Sequence, residues 1–201
     1  MTSSIILRPF KEDDYLVINK WRNDYNVQKM TGGPIRFVSL DIEKNWVKSI
    51  MQDNTKNIYL AICLNDNSQR MIGYISLNNI DHLNKSANAG GTVIGDKEYQ
   101  DGQAAFEALT IILEYAFDQL NLNRVSAKCL PEHYLAPYSL GAFGFTKEGT
   151  ERESLYKNGK YHNVDLFSLL RSDYEKLRLE NRYAIRNLVK ECIKLKKQAK
   201  L

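Results

Sequence analysis

The chain has 201 residues, of which 43% are hydrophobic, so it can form one compact domain with a sizeable core, and this composition argues against wholesale disorder. No apolar run approaches the roughly 20 residues that a membrane-spanning helix needs, and the N-terminus does not resemble a signal peptide. The three cysteines are far apart in the sequence, which is typical of reduced thiols in the cytoplasm rather than of a disulfide framework or a zinc site.

The net charge of +4 is distributed unevenly along the chain. Residues 176–201 include nine basic and two acidic residues, which gives this segment a charge of +7, whereas the rest of the chain carries −3. Because the basic residues are concentrated at the end, the composition gives little support to nucleic-acid binding by the body of the protein.

The first half of the chain predicts one strand, two helices and three further strands, in that order. Ser39 is a candidate N-cap of the second helix, and the second and third strands are expected to form a hairpin. Gly90 and Gly91 predict a bulge in the fourth strand, or a place where a ligand approaches the backbone. The predicted ranges are 4–10 (strand), 11–24 and 39–51 (helices), and 57–64, 70–80 and 86–94 (strands).

The second half predicts a helix with one buried apolar stripe, a strand, a short helix and a final hairpin that turns at Asn158-Gly159. Together the elements predict an α/β (α+β) domain over residues 1–172. Its sheet is expected to be mixed and mostly antiparallel, with helices on both faces. An extra basic helix is predicted over 173–201. The predicted ranges are 104–120 (helix), 123–130 (strand), 131–145 (short helix), and 147–159 and 161–170 (strands).

The segment from Ile94 to Leu109, IGDKEYQDGQAAFEAL, resembles the acetyl-CoA motif of the GNAT superfamily of N-acetyltransferases. Shorter matches follow the family in order and spacing, so that the resemblance runs from about residue 7 to about residue 170. These matches are LRPF near residue 7, WRND at 21–24, IGY at 72–74, FGF at 143–145 and NGKYHNVDLFSLL at 158–170. The resemblance implies that acetyl-CoA donates an acetyl group to a primary amine.

In this family the pantetheine arm of CoA lies between two strands that diverge, and backbone N–H groups at a helix N-terminus hold the pyrophosphate. The family signature, Gln/Arg-x-x-Gly-x-Gly/Ala, aligns with residues 100–105, but Gln103 replaces the central glycine. Asp101 is a second departure, since its carboxylate could repel phosphate or satisfy the same N–H groups. A backbone N–H of Val93 or Ile94 is expected to hold the oxyanion. The expected cofactor-binding residues are Val93, Ile94, Gln100, Asp101, Gly102, Gln103, Ala104 and Ala105.

The residues that handle protons in many family members are altered here. A glutamate base often lies on the strand at 86–94, where this chain has Asn88, and the usual tyrosine acid falls on Leu140. The Asn-x-x-Ser motif that opens the next helix falls on residues 133–136, and both of its polar residues are changed. The remaining candidate catalytic residues are His133, Tyr134 and Tyr138, each of which could also be a loop or packing residue. No His, Cys or Asp cluster has metal-ligand spacing, so no metal is expected.

In the family, the segment after the first helix helps to shape the acceptor pocket, so Arg22, Asn23 and Asn88 are candidate substrate-binding residues. WRND resembles members that acetylate nucleotide-linked amino sugars or protein N-termini. Arg22 could meet a phosphate or a carboxylate, or could simply be a solvent-facing helix end. The leading hypothesis is acetylation of a small-molecule primary amine, with a nucleotide-linked amino sugar as one candidate. The alternatives are a polyamine, a protein N-terminus, or a non-catalytic binding module.

The end of the chain carries one apolar seam on a basic helix. This seam could pair two subunits in a homodimer, or it could lie on an anionic membrane or on nucleic acid. It could equally fold back on the acidic body. The seam residues are Ile185, Leu188, Cys192, Leu195 and Ala199.

Overall fold

The computed structural model describes residues 3–29, 31–53 and 55–199 and is built around one seven-stranded sheet. The strands are β1 (Ile5–Pro9), β2 (Ile58–Leu64), β3 (Met71–Asp81), β4 (Ser86–Ile94), β5 (Arg124–Cys129), β6 (Thr146–Lys157) and β7 (Lys160–Leu170). Their order across the sheet is β1-β2-β3-β4-β5-β7-β6. Of these neighbours only β4 and β5 are parallel, which confirms the predicted mixed and mostly antiparallel sheet.

Helices cover both faces of the sheet, as predicted. The helices are α1 (Asp14–Arg22), α2 (Tyr25–Gln28), α3 (Leu40–Met51), α4 (Gln103–Glu114), α5 (Ala136–Ala142), α6 (Arg171–Leu179) and α7 (Ile185–Gln198). A 3-10 turn at Lys97–Tyr99 precedes α4 and a π-helical turn at Tyr115–Gln119 extends it; the sequence predicted neither turn, and it did not predict α2. Within the described ranges, no helix has the length and apolar character needed to cross a bilayer.

The two faces of the sheet are covered by different kinds of core. Because successive strand residues point to opposite faces, Ile75 and Leu77 of β3 face α4, whereas Tyr74 faces α1 and α3. The core on the α4 face is large and mainly aliphatic. The core on the α1/α3 face is smaller and rich in aromatic rings, which include Phe10, Trp21, Trp46, Tyr59 and Tyr74.

Several local predictions are confirmed. The Ser39 hydroxyl accepts a hydrogen bond from the Ile42 N–H at 3.3 Å and so caps α3. Asn158 and Gly159 have φ values of 52° and 79°, as a type I′ hairpin turn requires. The register between β3 and β4 shifts opposite the two glycines of β4, and Gly91 has a φ of 78°. The sequence therefore placed the turns and the bulge correctly.

The segment after β7 differs from the single predicted helix. It forms two helices, and α6 begins at Arg171, before the predicted domain boundary. The apolar seam of α7 packs on the body of the protein, because Leu188 and Cys192 are buried in the core of the α4 face. The fold-back alternative is thus confirmed, and pairing of two subunits through this helix stays a prediction. The three cysteines are free, buried thiols.

Candidate active site

β4 and β5 diverge after a short stretch of pairing. Only Ser86–Asn88 of β4 pair with Arg124–Ser126 of β5, although β4 continues to Ile94 and β5 to Cys129. Beyond Asn88 a gap opens between the strands, and the backbone groups that face it have no strand partner. This gap matches the diverging strand pair that the family resemblance implies.

Strand alternation distinguishes the two candidate oxyanion donors. The Gly95 N–H donates to the Ile72 carbonyl of β3 at 3.0 Å, so the backbone groups of Val93, two residues earlier, also point toward β3. Those of Ile94 point into the gap, and the Ile94 carbonyl accepts a hydrogen bond from Gln100 Nε2 at 2.9 Å. Because a residue's N–H and C=O lie on the same side of a strand, Ile94 rather than Val93 directs an N–H into the gap. This geometry favours Ile94 over Val93 as the oxyanion donor, and the role of either residue stays a prediction; the Val93 side chain packs in the aromatic core.

The turn before α4 shows why a glycine at position 103 is unnecessary. Gly102 is the N-cap of α4 and has a φ of 98°, a conformation that only glycine adopts readily. The first intrahelical donor is Phe106, whose N–H bonds the Gly102 carbonyl at 3.1 Å. The N–H groups of the three preceding helical residues, 103–105, therefore have no intrahelical acceptor. Displacement of the glycine by one position preserves the anion-binding geometry of the helix N-terminus.

Asp101 occupies one of these three donors. Its Oδ1 accepts a hydrogen bond from the Gln103 N–H at 2.9 Å, although Gly102 and not Asp101 is the N-cap residue. Because Asp101 is exposed, its carboxylate can rotate into solvent. The Gln103 side chain points elsewhere, and its Nε2 donates to Glu107 at 2.9 Å.

Basic side chains near this turn already have carboxylate partners. Arg70 pairs with Asp96 and lies 3.7 Å from Glu98, while Lys97 lies 3.4 Å from Asp24. The turn itself can therefore bind a phosphate through backbone N–H groups and the helix dipole, but it supplies little unpaired positive charge.

His133 caps α5. Its Nδ1 accepts hydrogen bonds from the N–H groups of Leu135 and Ala136 at 3.2 and 3.0 Å, so Nδ1 carries no proton in this arrangement. The His133 ring stacks on Tyr134, with 5.2 Å between ring centroids, and Tyr134 is 54% exposed. Tyr138 is half-buried on α5 and packs against the core of the α4 face. The structure thus brings His133 and Tyr134 together and gives His133 a capping contact.

Arg22 and Asn23 lie on the opposite side of the sheet, at the end of α1. The Arg22 guanidinium lies over the Trp46 ring at 4.1 Å, and its Nε is 3.5 Å from Glu43 Oε1. Asn23 exchanges hydrogen bonds with both backbone groups of Val38, at 2.9 and 3.0 Å, and so fastens the 31–38 loop to α1. These contacts hold both residues in place at the end of α1, and their role on the acceptor side stays a prediction.

Glu43 is unusual in a way that no sequence pattern predicted. Its side chain is completely buried, and neither carboxylate oxygen has a hydrogen-bond partner in the described part of the chain. Burial raises the pKa of Glu43, and the nearby charge of Arg22 opposes this effect only in part. Glu43 lies one residue after the position where a second capping residue of α3 would be expected, so no role was predicted for it from the sequence pattern.

Two neutral amides lie where the strands part. Asn88 is the last β4 residue that pairs with β5, and it lies opposite Asn78 of β3. Asn78 Oδ1 is buried and has no hydrogen-bond partner among the described residues.

An open cleft of about 200 Å³ lies at the end of β5, and a 2.6 Å ion pair between Lys128 and Glu151 forms part of its wall. Among the described residues, no group of three or more His, Cys, Asp or Glu side chains could hold a metal ion.

Known proteins of similar sequence include several N-acetyltransferases. Bacillus subtilis YdaF, provisionally named a ribosomal N-acetyltransferase, is 32% identical over 52% of this chain and 56% of its own. The uncharacterized N-acetyltransferase p20 of Bacillus licheniformis is 29% identical over 86% of this chain and 96% of its own. The spermidine N(1)-acetyltransferase of Vibrio cholerae is 25% identical over 87% of this chain and 97% of its own.

Solved structures show the same fold. The Vibrio cholerae spermidine N-acetyltransferase in complex with CoA and spermine superimposes with a TM-score of 0.75 at 24% identity, over 86% of this chain and 98% of that one. The unmatched share of this chain is close to the length of the segment after β7. The family model described as "Acetyltransferase (GNAT) domain" matches residues 4–145. With this match, the diverging strands and the glycine turn before α4, the chain belongs to the GNAT family and is an acetyl-CoA-dependent N-acyltransferase.

Proposed function

We propose that the chain acetylates a primary amine of low basicity on a small molecule, with the amino group of a nucleotide-linked sugar as the leading acceptor. One observation carries this proposal: the acceptor side presents the neutral amides of Asn78 and Asn88 where a carboxylate base would be expected. An amide cannot take a proton, so the acceptor amine must lose its proton to water or arrive without it.

The basicity of the amine then decides which acceptors react. A lysine-like alkyl amine has a pKa of about 10.4, whereas a peptide α-amine has a pKa of about 7.7–8.0, so far more of the latter is neutral near pH 7. A sugar amine is also less basic than an alkyl amine, because the oxygen substituents beside it withdraw electrons. Protein N-termini share this property and are the second candidate.

The charges around the cleft also argue against a polycationic acceptor. In the wall of the cleft Glu151 pairs with Lys128 at 2.6 Å, and outside its lining Asp165 pairs with Lys147 at 2.7 Å and Glu132 with His162. A polyamine would have to displace these partners to find a carboxylate. Arg22 is 32% exposed in its side chain and is suited to a nucleotide phosphate, although Glu43 compensates part of its charge.

The donor site fits acetyl-CoA, which supplies the thioester carbonyl when bound. We infer that the N–H groups of Ala104 and Ala105 bind the pyrophosphate, while Asp101 turns away from the Gln103 N–H. The Ile94 N–H, which faces the gap, stabilises the developing oxyanion. Tyr138, half-buried on α5, is the proposed proton donor to the leaving thiolate.

Acetyl-CoA binding is tested by calorimetry on the protein and on Asp101→Asn. The variant keeps an oxygen that can accept the Gln103 hydrogen bond but removes the negative charge, so acetyl-CoA binding should tighten by about threefold. Asp66→Asn is the matched control, because Asp66 makes a similar contact with the Ser68 N–H in the distant β2–β3 turn. Absence of acetyl-CoA binding by both the native protein and Asp101→Asn would contradict the donor site.

The acceptor is tested by initial rates with equal concentrations of a nucleoside-diphosphate amino sugar, a peptide with a free N-terminus, and spermidine. At about pH 7 the amino sugar should be acetylated fastest and spermidine slowest. The initial rate with spermidine should increase most when the pH is raised to about 9. Tyr138→Phe should lower kcat about 100-fold, with Tyr115→Phe as a control at the far end of α4. Preference for spermidine at pH 7 would contradict the proposal, and binding of acetyl-CoA without turnover of any amine would favour a non-catalytic binding module.

A further inference from the structure

We propose that α7 supplies Lys196 to bind the 3′-phosphate of CoA, beside the ring of Tyr134. This inference rests on the proposed donor site and extends it to a helix outside the residues that the family model matches, which end at 145. It gives the basic end of the chain a role in recognition of the acyl donor.

A continuous series of contacts links Lys196 to the glycine turn. The side chain of Leu135 lies 3.7 Å from the point that a Cβ on Gly102 would occupy. Tyr134 precedes Leu135, and Lys196 Nζ lies 5.4 Å from the centroid of the Tyr134 ring. The last turns of α7 therefore lie at the same end of the molecule as the N-terminus of α4.

The position of α7 is fixed by packing along α5. Leu195 Cδ1 lies 3.0 Å from the point that a Cβ on Gly141 would occupy, and Cys192 is buried in the core. At the other end, the Tyr183 hydroxyl donates to the Phe143 carbonyl at 3.0 Å. Lys196 is thus presented by an ordered helix and not by a free chain end.

The donor turn needs a cation that its own residues do not supply. CoA carries a pyrophosphate and a separate 3′-phosphate, whereas Arg70 and Lys97 near the turn are paired with carboxylates. Within the described ranges, Lys196 makes no ion pair, and its contact is with the face of an aromatic ring. Lys196 is therefore a positively charged residue near the turn whose charge is not already compensated by a carboxylate.

The arrangement of CoA fits this placement. The 3′-phosphate and the adenine are both attached to the ribose that follows the pyrophosphate. When the pyrophosphate is bound at the α4 N-terminus, both groups are therefore separated from that N-terminus by one ribose. Tyr134 is 54% exposed, and its ring contacts both His133 and Lys196, so a bound nucleotide would meet Lys196 beside an accessible aromatic side chain. A lysine beside an aromatic ring is suited to a phosphate on a purine nucleotide.

The test compares acetyl-CoA with acetyl-dephospho-CoA, which lacks only the 3′-phosphate, by calorimetry at low salt. Lys196→Gln should weaken acetyl-CoA binding about fivefold, as expected for a partly exposed ion pair, and should leave acetyl-dephospho-CoA binding unchanged. Lys190→Gln is the matched control, since it removes the same charge from another side of α7 and should leave both affinities unchanged.

Three outcomes would overturn the inference. The native protein could bind both ligands equally, Lys196→Gln could leave acetyl-CoA binding intact, or Lys196→Gln could weaken both ligands by the same factor. In each of these cases the donor site itself stands, because acetyl-CoA still binds the native protein. Failure of the native protein to bind either ligand would instead overturn the donor site and this inference together.

Discussion

Two buried glutamates, one on each face of the sheet, have opposite environments. Glu107 on α4 accepts hydrogen bonds from the Ser3 hydroxyl, the Ser4 N–H and hydroxyl, and Gln103 Nε2, at 2.6–2.9 Å. Glu43 on α3 accepts none within the described part of the chain, and its charged neighbour is Arg22 at 3.5 Å. Both carboxylates are removed from water, but only Glu107 is compensated by hydrogen bonds.

The two faces of the sheet therefore differ in the role of their buried carboxylate: one stabilises the fold through hydrogen bonds, and the other does not. Glu107 joins the residues just before β1 to the first turn of α4, and so stabilises the start of that helix. Among the described residues Glu43 has no hydrogen-bond partner and its charged neighbour is Arg22, and a perturbed buried carboxylate of this kind is more typical of a functional site than of a stabilising contact.

Gly95 follows β4 at the point where the backbone passes against Trp21 of α1. Gly95→Ala should have the largest effect on stability. A Cβ at this position would lie 2.0–2.3 Å from atoms of the Trp21 ring, so α1 would have to move away from the end of β4. We expect a loss of about 3 kcal/mol in the free energy of unfolding, measured by urea denaturation, together with weaker acetyl-CoA binding.

Gly149→Ala is the control for Gly95→Ala. No atom lies within 4 Å of a Cβ at Gly149, and its φ is not in the positive range, so stability should change by less than about 1 kcal/mol. Equal losses for the two variants would show that Gly95 is not the close contact between α1 and the donor turn.

Glu107→Gln should cost about 2 kcal/mol in unfolding free energy at neutral pH, because the amide NH₂ would face hydrogen-bond donors. Burial alone would raise the pKa of Glu107, but hydrogen bonds from Ser3, Gln103 and Ser4 outweigh burial and lower it. A lowered folded-state pKa stabilises the protein above the ordinary value of 4.5, and this stabilisation is lost as the pH falls through the folded-state pKa.

Denaturation of the native protein and Glu107→Gln between about pH 3 and pH 7 checks this prediction, and the gap between their stabilities should narrow toward acid. Glu114→Gln changes an exposed glutamate on the same helix and should have little effect. A gap that stays constant over the whole range would show that the charge of Glu107 does not stabilise the fold.

The glycine turn before α4 was largely predictable from sequence because it is local. Residues 94–105 form one continuous segment, and a glycine with positive φ before a helix has a recognisable pattern. The exchange of Gly for Gln at position 103 did not obscure it, since backbone N–H groups do not depend on the side chain.

The acceptor side was not predictable to the same degree, because it is assembled from distant segments. Arg22, Glu43 and Tyr74 come from α1, α3 and β3, and no sequence spacing shows that they meet. His133 shows the same limit on a smaller scale, since its residue type suggested proton transfer, whereas the backbone of the next residues made it a helix cap.

Glu43→Gln should have the smallest effect and the opposite sign to Glu107→Gln. Burial raises the pKa of Glu43, so the ionised carboxylate disfavours folding at neutral pH, and this penalty disappears as the pH falls toward the ordinary value of 4.5. The neutral amide removes the penalty, while Arg22 can be solvated because its side chain is 32% exposed. We expect a gain of no more than about 1 kcal/mol near pH 7, which vanishes below about pH 4.5. A loss of several kcal/mol at pH 7 would instead make the Arg22–Glu43 pair a stabilising contact, because the attraction across 3.5 Å would then exceed the cost of burying the carboxylate.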